Sequence, residues 1–517
     1  MEINKETVQT NNERSQPAKQ ANRRKVPQLP YRKLDFPFPP TELISEEQLE
    51  EIHEASLDVL EQVGVEFLSK RALAIFKAAG AEVDEKSQRV RLDRNLVMES
   101  IKTAPSSFTM TARNPERSVL MGGTRINISN ATTPPFCSDL KGGRRVGTFE
   151  DYCNLLKLCQ HLNVVHFLYG YPVEPQDLPV ETRHLDAYRA FATLTDKVWR
   201  AYAISETTIR DGLEMTRIAR GIDVEQMRSE PSLLSNINTN SPLRYGGSMA
   251  DGLIAMAEMG QPVVISVITM SGATSPITIA GALAQQNAEA LAGVALSQMV
   301  RPGTPVIYGS FTSNVNMRTG SFVLGTPEFV QVGLVTGQLA RRYGLPFKFN
   351  NSCTSNAIDA QAAYESQMSL WACMLGQPNF LAHGVGWLEN GLTTSFEKMI
   401  VDCEMLQMIS RVLEPLEINR ETLAVDDIKA VGPGGHYLDS ELTMKRFAKA
   451  FYEPILTNWQ NYDAWQKSGA TDLVTRANNI VCQMLDEYEE PVLEQSRREE
   501  LDDYVERRRE EIMTRVG

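Results

Sequence analysis

The chain has 517 residues, 42% of them hydrophobic and 23% charged, and 52 Lys and Arg against 65 Asp and Glu leave a net charge of −13. That composition belongs to a globular protein, and the acidic balance excludes a chain built to coat nucleic acid, whose signature is a basic face. The length fits either several domains of ~100–200 residues or one α/β barrel with additions.

The seven cysteines, Cys137, Cys153, Cys159, Cys353, Cys373, Cys403 and Cys482, are scattered, and no two are spaced as C-x-x-C. They read as small buried hydrophobes rather than as a disulfide framework or a structural zinc site, which fits a reduced, cytoplasmic compartment. No run reaches ~18 apolar residues, so no membrane span is expected. The first residues lack the apolar region of a secretory signal.

In chain order, residues 1–27 are polar and read as a disordered tail. Residues 28–123 form a helical and β extension. Pro30, Pro37, Pro39 and Pro40 keep its start extended. A helix over 45–62 opens on Ser45, with Gln48 three residues on as in a capping box. Leu49, Ile52, Ala55, Leu57, Val59 and Leu60 make its apolar side. A second helix covers 70–79 and stops at Gly80, and strand-like alternation follows between 106 and 128.

From residue 124 the pattern becomes regular. Apolar runs at 126–128, 164–169, 198–203, 233–237, 263–268, 305–308, 347–349 and 379–382 are each followed by a helical stretch. Those stretches are 148–162, 180–195, 205–220, 246–259, 277–300, 326–343, 357–376 and 395–413. Continuous apolar strands alternating with amphipathic helices predict a parallel sheet covered on both faces. Eight units predict a (β/α)8 TIM barrel over 124–415, an α/β fold. An open doubly wound sheet is the alternative, but no G-x-G-x-x-G follows a strand. Residues 416–517 read as loops and a charged helical tail, serving as a solvated surface helix or a subunit contact.

Barrel chemistry sits at the C-terminal ends of the strands. Those ends carry Asn130, Thr132, Tyr169, Tyr171, Tyr202, Asn238, Asn240, Ser271, Tyr308, Phe311, Asn351 and His383, with Asn314, Asn316 and Arg318 following the sixth strand. Carboxylates and cysteines are scarce there, and no Lys is expected at a strand end. A metal-dependent hydrolase would need carboxylates or several histidines, and a Schiff-base enzyme would need a lysine. A neutral, aromatic mouth suits a quaternary ammonium group, which binds aromatic faces by cation–π attraction. Tyr169, Tyr171, Tyr202, Tyr308, Phe311 and Trp387 are the candidate cage. His383 is the histidine expected at a strand end, open to a catalytic or a structural reading.

Several segments then show a family likeness. They are Ser241-Pro242-Leu243, the run 276–289, PVIYGSFTSNVNMR at 305–318, Gly325-Thr326-Pro327-Glu328, the run 359–366, HGVGWLENG at 383–391, and 432–436. Together they resemble the trimethylamine methyltransferase (MttB) family over about residues 40–512. The resemblance implies a TIM-barrel enzyme that moves a methyl group from a methylated amine to the cobalt of a corrinoid (cobalamin) carried by a separate partner protein. None of the 517 positions is pyrrolysine, the residue that trimethylamine-specific members carry. The chain is thus similar to glycine betaine and other quaternary-amine members.

By that resemblance His383 is the candidate catalytic residue. Tyr202, Tyr308, Phe311, Asn314, Arg318, Asn351 and Trp387 are the candidate substrate contacts, with Arg318 for the carboxylate of a betaine. No D-x-H-x-x-G corrinoid motif occurs, so the corrinoid is expected to arrive on the partner, and no metal is expected on this chain. A homo-oligomer that engages neither nucleic acid nor membrane is expected. A tertiary-amine methyltransferase and a non-catalytic amine-binding barrel are the other readings.

Overall fold

A computed structural model describes residues 25–516; the expected disordered tail falls almost wholly outside them. Strands Trp199–Tyr202, Leu233–Asn238, Val263–Val267, Val306–Ser310, Phe347–Asn350 and Phe380–Val385 pair in parallel, each with the next. Phe380–Val385 in turn pairs in parallel with Arg125–Asn130, so the sheet curls back on its start.

The remaining stave, expected as a strand over 164–169, is a short bridged segment. Phe167 bridges Ser129, and the His166 and Leu168 amides donate to the carbonyls of Ile128 and Val198, each at 2.8 Å. The His166 ring explains the missing ladder. Its Nδ1 accepts the Ile128 amide at 2.9 Å, and its Nε2 donates to the Arg32 carbonyl. Burial and the Lys197 charge pull its pKa down to about 3, so the ring stays neutral and keeps an acceptor nitrogen.

The helices Phe149–His161, Arg183–Leu194, Glu206–Arg220, Gly247–Glu258, Ile279–Val300, Pro327–Arg342, Ala360–Gly376 and Phe396–Val412 coincide with the eight expected stretches. Their starts are chemical. Thr148, Ser205, Thr278, Thr326, Asp359 and Ser395 each accept a first-turn backbone N–H, which satisfies an otherwise orphaned donor. With the closed parallel sheet inside this ring, the molecule is a (β/α)8 barrel.

Additions close the barrel at one end and frame it at the other. A hairpin of Phe108–Met110 and Val119–Met121 sends Met110, Val119 and Met121 into one buried cluster with Phe167, Val198, Leu234, Val264, Ile307 and Phe380. These six are the inward residues near the start of six of the eight staves, so the hairpin plugs the N-terminal end. At the other end, Phe136–Asp139, Gly143–Val146, Trp387–Leu388 and Thr393–Ser395 form a small sheet. It joins the loop after the first stave to the loop after the last.

The helix Gln495–Val516 turns one side to the barrel and leaves the other exposed, with Glu506, Arg507, Glu510 and Met513 on the surface. It packs on Arg183–Leu194 and Glu206–Arg220 and buries Leu501, Tyr504 and Val505. Among the described residues no helix is long and apolar enough to cross a membrane.

Candidate active site

A cavity of about 190 Å³ opens at the C-terminal ends of the staves. Thr132, Thr133, Tyr169, Arg200, Asn236, Asn238, Ser266, Ile268, Phe311, Lys348, His383 and Trp387 line it. Neither carboxylate nor thiol is among them. Its size is below the ~300–1,000 Å³ of drug-sized pockets, so a small molecule fits.

Strand alternation decides who faces in. Phe347 and Phe349 pack outward among the helices while Lys348 points inward; Trp199 and Ala201 pack outward while Arg200 points inward. His383 breaks this rule. Phe380 and Ala382 face the barrel interior, so the next residue in a regular strand would face out. Instead the ladder shifts register between Leu381 and Val385, and His383 takes a left-handed backbone, φ 57°. The bulge turns its ring into the cavity, the re-aiming that bulges perform beside functional sites.

Two devices hold the turn. Gly386 at φ 94° has no room for a Cβ, which would lie 2.8 Å from Met399 Cγ. Its amide donates to Asp402 Oδ2 at 2.8 Å, and Asn351 Nδ2 donates to the Gly384 carbonyl at 3.0 Å.

The upper wall is aromatic. The His383 and Trp387 rings lie 4.1 Å apart, and Phe311 lies 5.8 Å from each. Tyr169 closes the other side, 5.7 Å from His383, with its hydroxyl held by Asn236. His383 Nδ1 and Trp387 Nε1 are buried without hydrogen-bond partners. Burial, with the charges of Lys348 and Arg200 adding to it, keeps the His383 imidazole neutral, its pKa far below the usual histidine range.

The floor is cationic, which the sequence reading missed. Lys348 Nζ donates to Ser266 Oγ at 3.1 Å. The Arg200 guanidinium sits 4.6 Å from the Tyr169 ring and 4.3 Å from the Tyr202 ring, and its Nε has no partner. Burial and the neighbouring Arg200 charge bring the Lys348 pKa down to about 7.

Of the expected site residues, His383, Phe311 and Trp387 meet in the cavity, joined by Tyr169 from the candidate cage. Tyr202 stands just outside, bracing Thr132 and the Tyr171 amide through its hydroxyl. The others are placed elsewhere. Tyr308 faces outward and donates to Asn287 Oδ1 at 2.8 Å, while Tyr171 packs among Tyr152, Tyr188 and Phe191. Asn314 accepts from Thr326 Oγ1 at 3.1 Å. Arg318 is exposed on the turn that follows, and Asn351 supports the Gly384 backbone. Lys348 and Arg200 carried one available signal, a single charge alternating with aromatic or aliphatic neighbours inside an apolar strand.

A grouping of three side chains with metal-ligand character, Glu50, His53 and Glu54, lies far along the chain from the mouth. Each is already paired, with Arg342, the Tyr343 hydroxyl and Arg94.

Fold and cavity together define a barrel enzyme for a small ligand, with an aromatic wall above a cationic floor. A family model described as trimethylamine methyltransferase (MTTB) matches residues 10–513. Glycine betaine methyltransferase of Desulfitobacterium hafniense is 37% identical over 476 residues, covering 92% of this chain and 98% of the relative. Trimethylamine methyltransferase MttB of the same species is 30% identical, covering 86% of this chain and 89% of the relative. MttB1 of Methanosarcina acetivorans is 29% identical, covering 86% and 90%. The chain belongs to the trimethylamine methyltransferase family and is a methyltransferase.

Proposed function

We propose that the protein transfers a methyl group from a quaternary amine of the glycine betaine type to the cobalt of a corrinoid borne by a separate protein. The observation that carries this is a cavity walled by Tyr169, Phe311 and Trp387 with neither carboxylate nor thiol in its lining. Aromatic faces attract a quaternary ammonium. The 37% identical relative acts, by its name, on glycine betaine.

A cob(I)alamin acceptor supplies the nucleophile for such a transfer. The chain's residues bind the donor, orient one N-methyl carbon toward the mouth and exclude water. The C–N bond breaks with its electron pair left on nitrogen, and the product is a neutral tertiary amine. No proton has to be delivered, which suits a neutral His383. Its unpaired Nδ1 contacts the donor or the acceptor and positions it. The plugged N-terminal end leaves the mouth as the approach for the corrinoid protein.

Residues 416–459 expose Leu416, Ile418, Phe447, Phe451 and Trp459. Such a set supports a homo-oligomer.

The test is to mix the purified protein with cob(I)alamin and either glycine betaine or trimethylamine and follow the visible spectrum. Methylcobalamin is expected with glycine betaine. Its formation from trimethylamine alone would favour the tertiary-amine reading, and no transfer from any N-methyl donor would overturn catalysis.

A further inference from the structure

A buried cation normally has an anion beside it, because desolvation of an unpaired charge is costly. Arg200 and Lys348 break that rule together. Both are buried, at 6% and 1% exposure, and both line the same cavity. The charge felt by Lys348 is the positive charge of Arg200, and its ammonium donates to a neutral hydroxyl, that of Ser266. Arg200 lies between two tyrosine rings with its Nε unused. Other buried cations of this chain are satisfied. Lys398 has Asp402, and Lys197 donates to the carbonyls of Cys159, Leu162 and Val165 at 2.6–3.2 Å.

We infer that Arg200 and Lys348 form a carboxylate-binding floor, so that the substrate is a zwitterion seated with its carboxylate inward and its methylated ammonium outward. The orientation half rests on the methyl-transfer reading; the carboxylate half stands on the two unpaired cations. Charge sets the pose. The floor attracts the carboxylate and repels the ammonium, which is driven to the aromatic wall of Phe311 and Trp387, away from the Tyr169 ring that Arg200 covers. The N-methyl groups then face the mouth, where an acceptor can reach them. The same floor rejects a donor that has the ammonium but no carboxylate, such as choline or tetramethylammonium, because such a cation would enter a cavity that Arg200, and Lys348 in its protonated form, already make positive. Arg318, exposed on its turn, has no part in this recognition.

The test uses the full chain with Lys348→Met and, separately, Arg200→Met. Binding of glycine betaine, choline and tetramethylammonium is measured by calorimetry, and methyl transfer by the cobalamin spectrum. The wild type should bind glycine betaine at least 100-fold more tightly than choline. Each variant should lose at least 100-fold of its glycine betaine affinity while binding the two carboxylate-free cations as well as or better than the wild type. Lys348→Met should also melt no lower than the wild type without ligand, since it removes an uncompensated buried charge; a merely structural lysine would show the opposite. Equal binding of choline and betaine by the wild type, or undiminished betaine affinity in both variants, overturns the inference. Betaine binding that depends on both cations but never leads to methylcobalamin would leave the floor standing and overturn the methyl-transfer reading instead.

Discussion

At the residue scale the site depends on one backbone irregularity. His383 reaches the cavity because its φ of 57° departs from the strand, a conformation Asn and His tolerate better than most side chains. His383→Asn therefore keeps the turn and removes the ring. It should lower kcat at least tenfold with an unchanged melting temperature, and a full rate would return His383 to a packing role. Trp387→Ala should weaken donor binding by ~1–2 kcal/mol, whereas Tyr308→Ala, which empties a site on the outer face of the barrel, should cost ~3–5 kcal/mol of stability and leave donor affinity unchanged.

The pH profile separates the roles further. A histidine acting near its ordinary pKa would lose activity below pH ~6.5, but burial and the Lys348 and Arg200 charges hold the His383 pKa well below that, so no such loss is expected there. Lys348 must be charged to hold a carboxylate, and its free-enzyme pKa is about 7, with Arg200, Tyr169, His383 and Ser266 facing it. The kcat/KM for a betaine should thus fall as pH rises through about 7, and Lys348→Met should abolish that fall. The sequence made His383, Phe311 and Trp387 legible, because the strand-end rule searches the mouth. It hid Arg200 and Lys348, because the floor is built from residues inside the strands, and it gave no sign of the bulge that aims His383.

At the element scale, helix boundaries were legible because capping side chains are local chemistry, as Ser45 with Gln48 and Thr148 with Asp151 show. The second stave was not, because its backbone partner is replaced by the His166 ring, a long-range substitution. The helix Phe396–Val412 holds a comparable device. Lys398 and Asp402 form an ion pair with no exposure, Lys398 Nζ also donates to Ser366 Oγ at 2.9 Å, and Asp402 holds the Gly386 amide just beyond His383. Asp402→Ala leaves a buried lysine unpaired and should cost ~3–5 kcal/mol. Adding Lys398→Met to it should restore most of that stability in urea unfolding. It should not restore the rate, since the Gly386 amide still lacks its acceptor. Recovery of both would show that the pair serves stability alone.

At the scale of the whole molecule, the −13 net charge surrounds a cavity of opposite sign, so the local charge that matters is the reverse of the global one. The molecule's ends also matter to that cavity. The helix Gln495–Val516 straps the two helices that follow the staves bearing Tyr169 and Arg200. Its anchor is Asp211, nearly fully buried, which accepts from His184 Nε2 at 2.9 Å, Tyr504 Oη at 2.7 Å and Arg508 Nε at 2.8 Å. Burial alone would raise the Asp211 pKa, but these three donors outweigh it and hold the pKa below the ordinary carboxylate value.

A depressed carboxylate pKa contributes stability that is fully present above the unfolded value of ~3.9 and lost as pH falls through the folded one. The strap should accordingly hold at neutral pH and release only in strong acid. Asp211→Asn removes the charge at every pH and should reproduce the release at pH 7. Hydrogen exchange should then speed up first in Arg183–Leu194, Glu206–Arg220 and Gln495–Val516, while Ile279–Val300, which packs against the N-terminal helices instead, stays protected. Uniform acceleration through all eight barrel helices would mean that the strap is part of one cooperative unit with the barrel rather than a clamp on the side that carries Arg200.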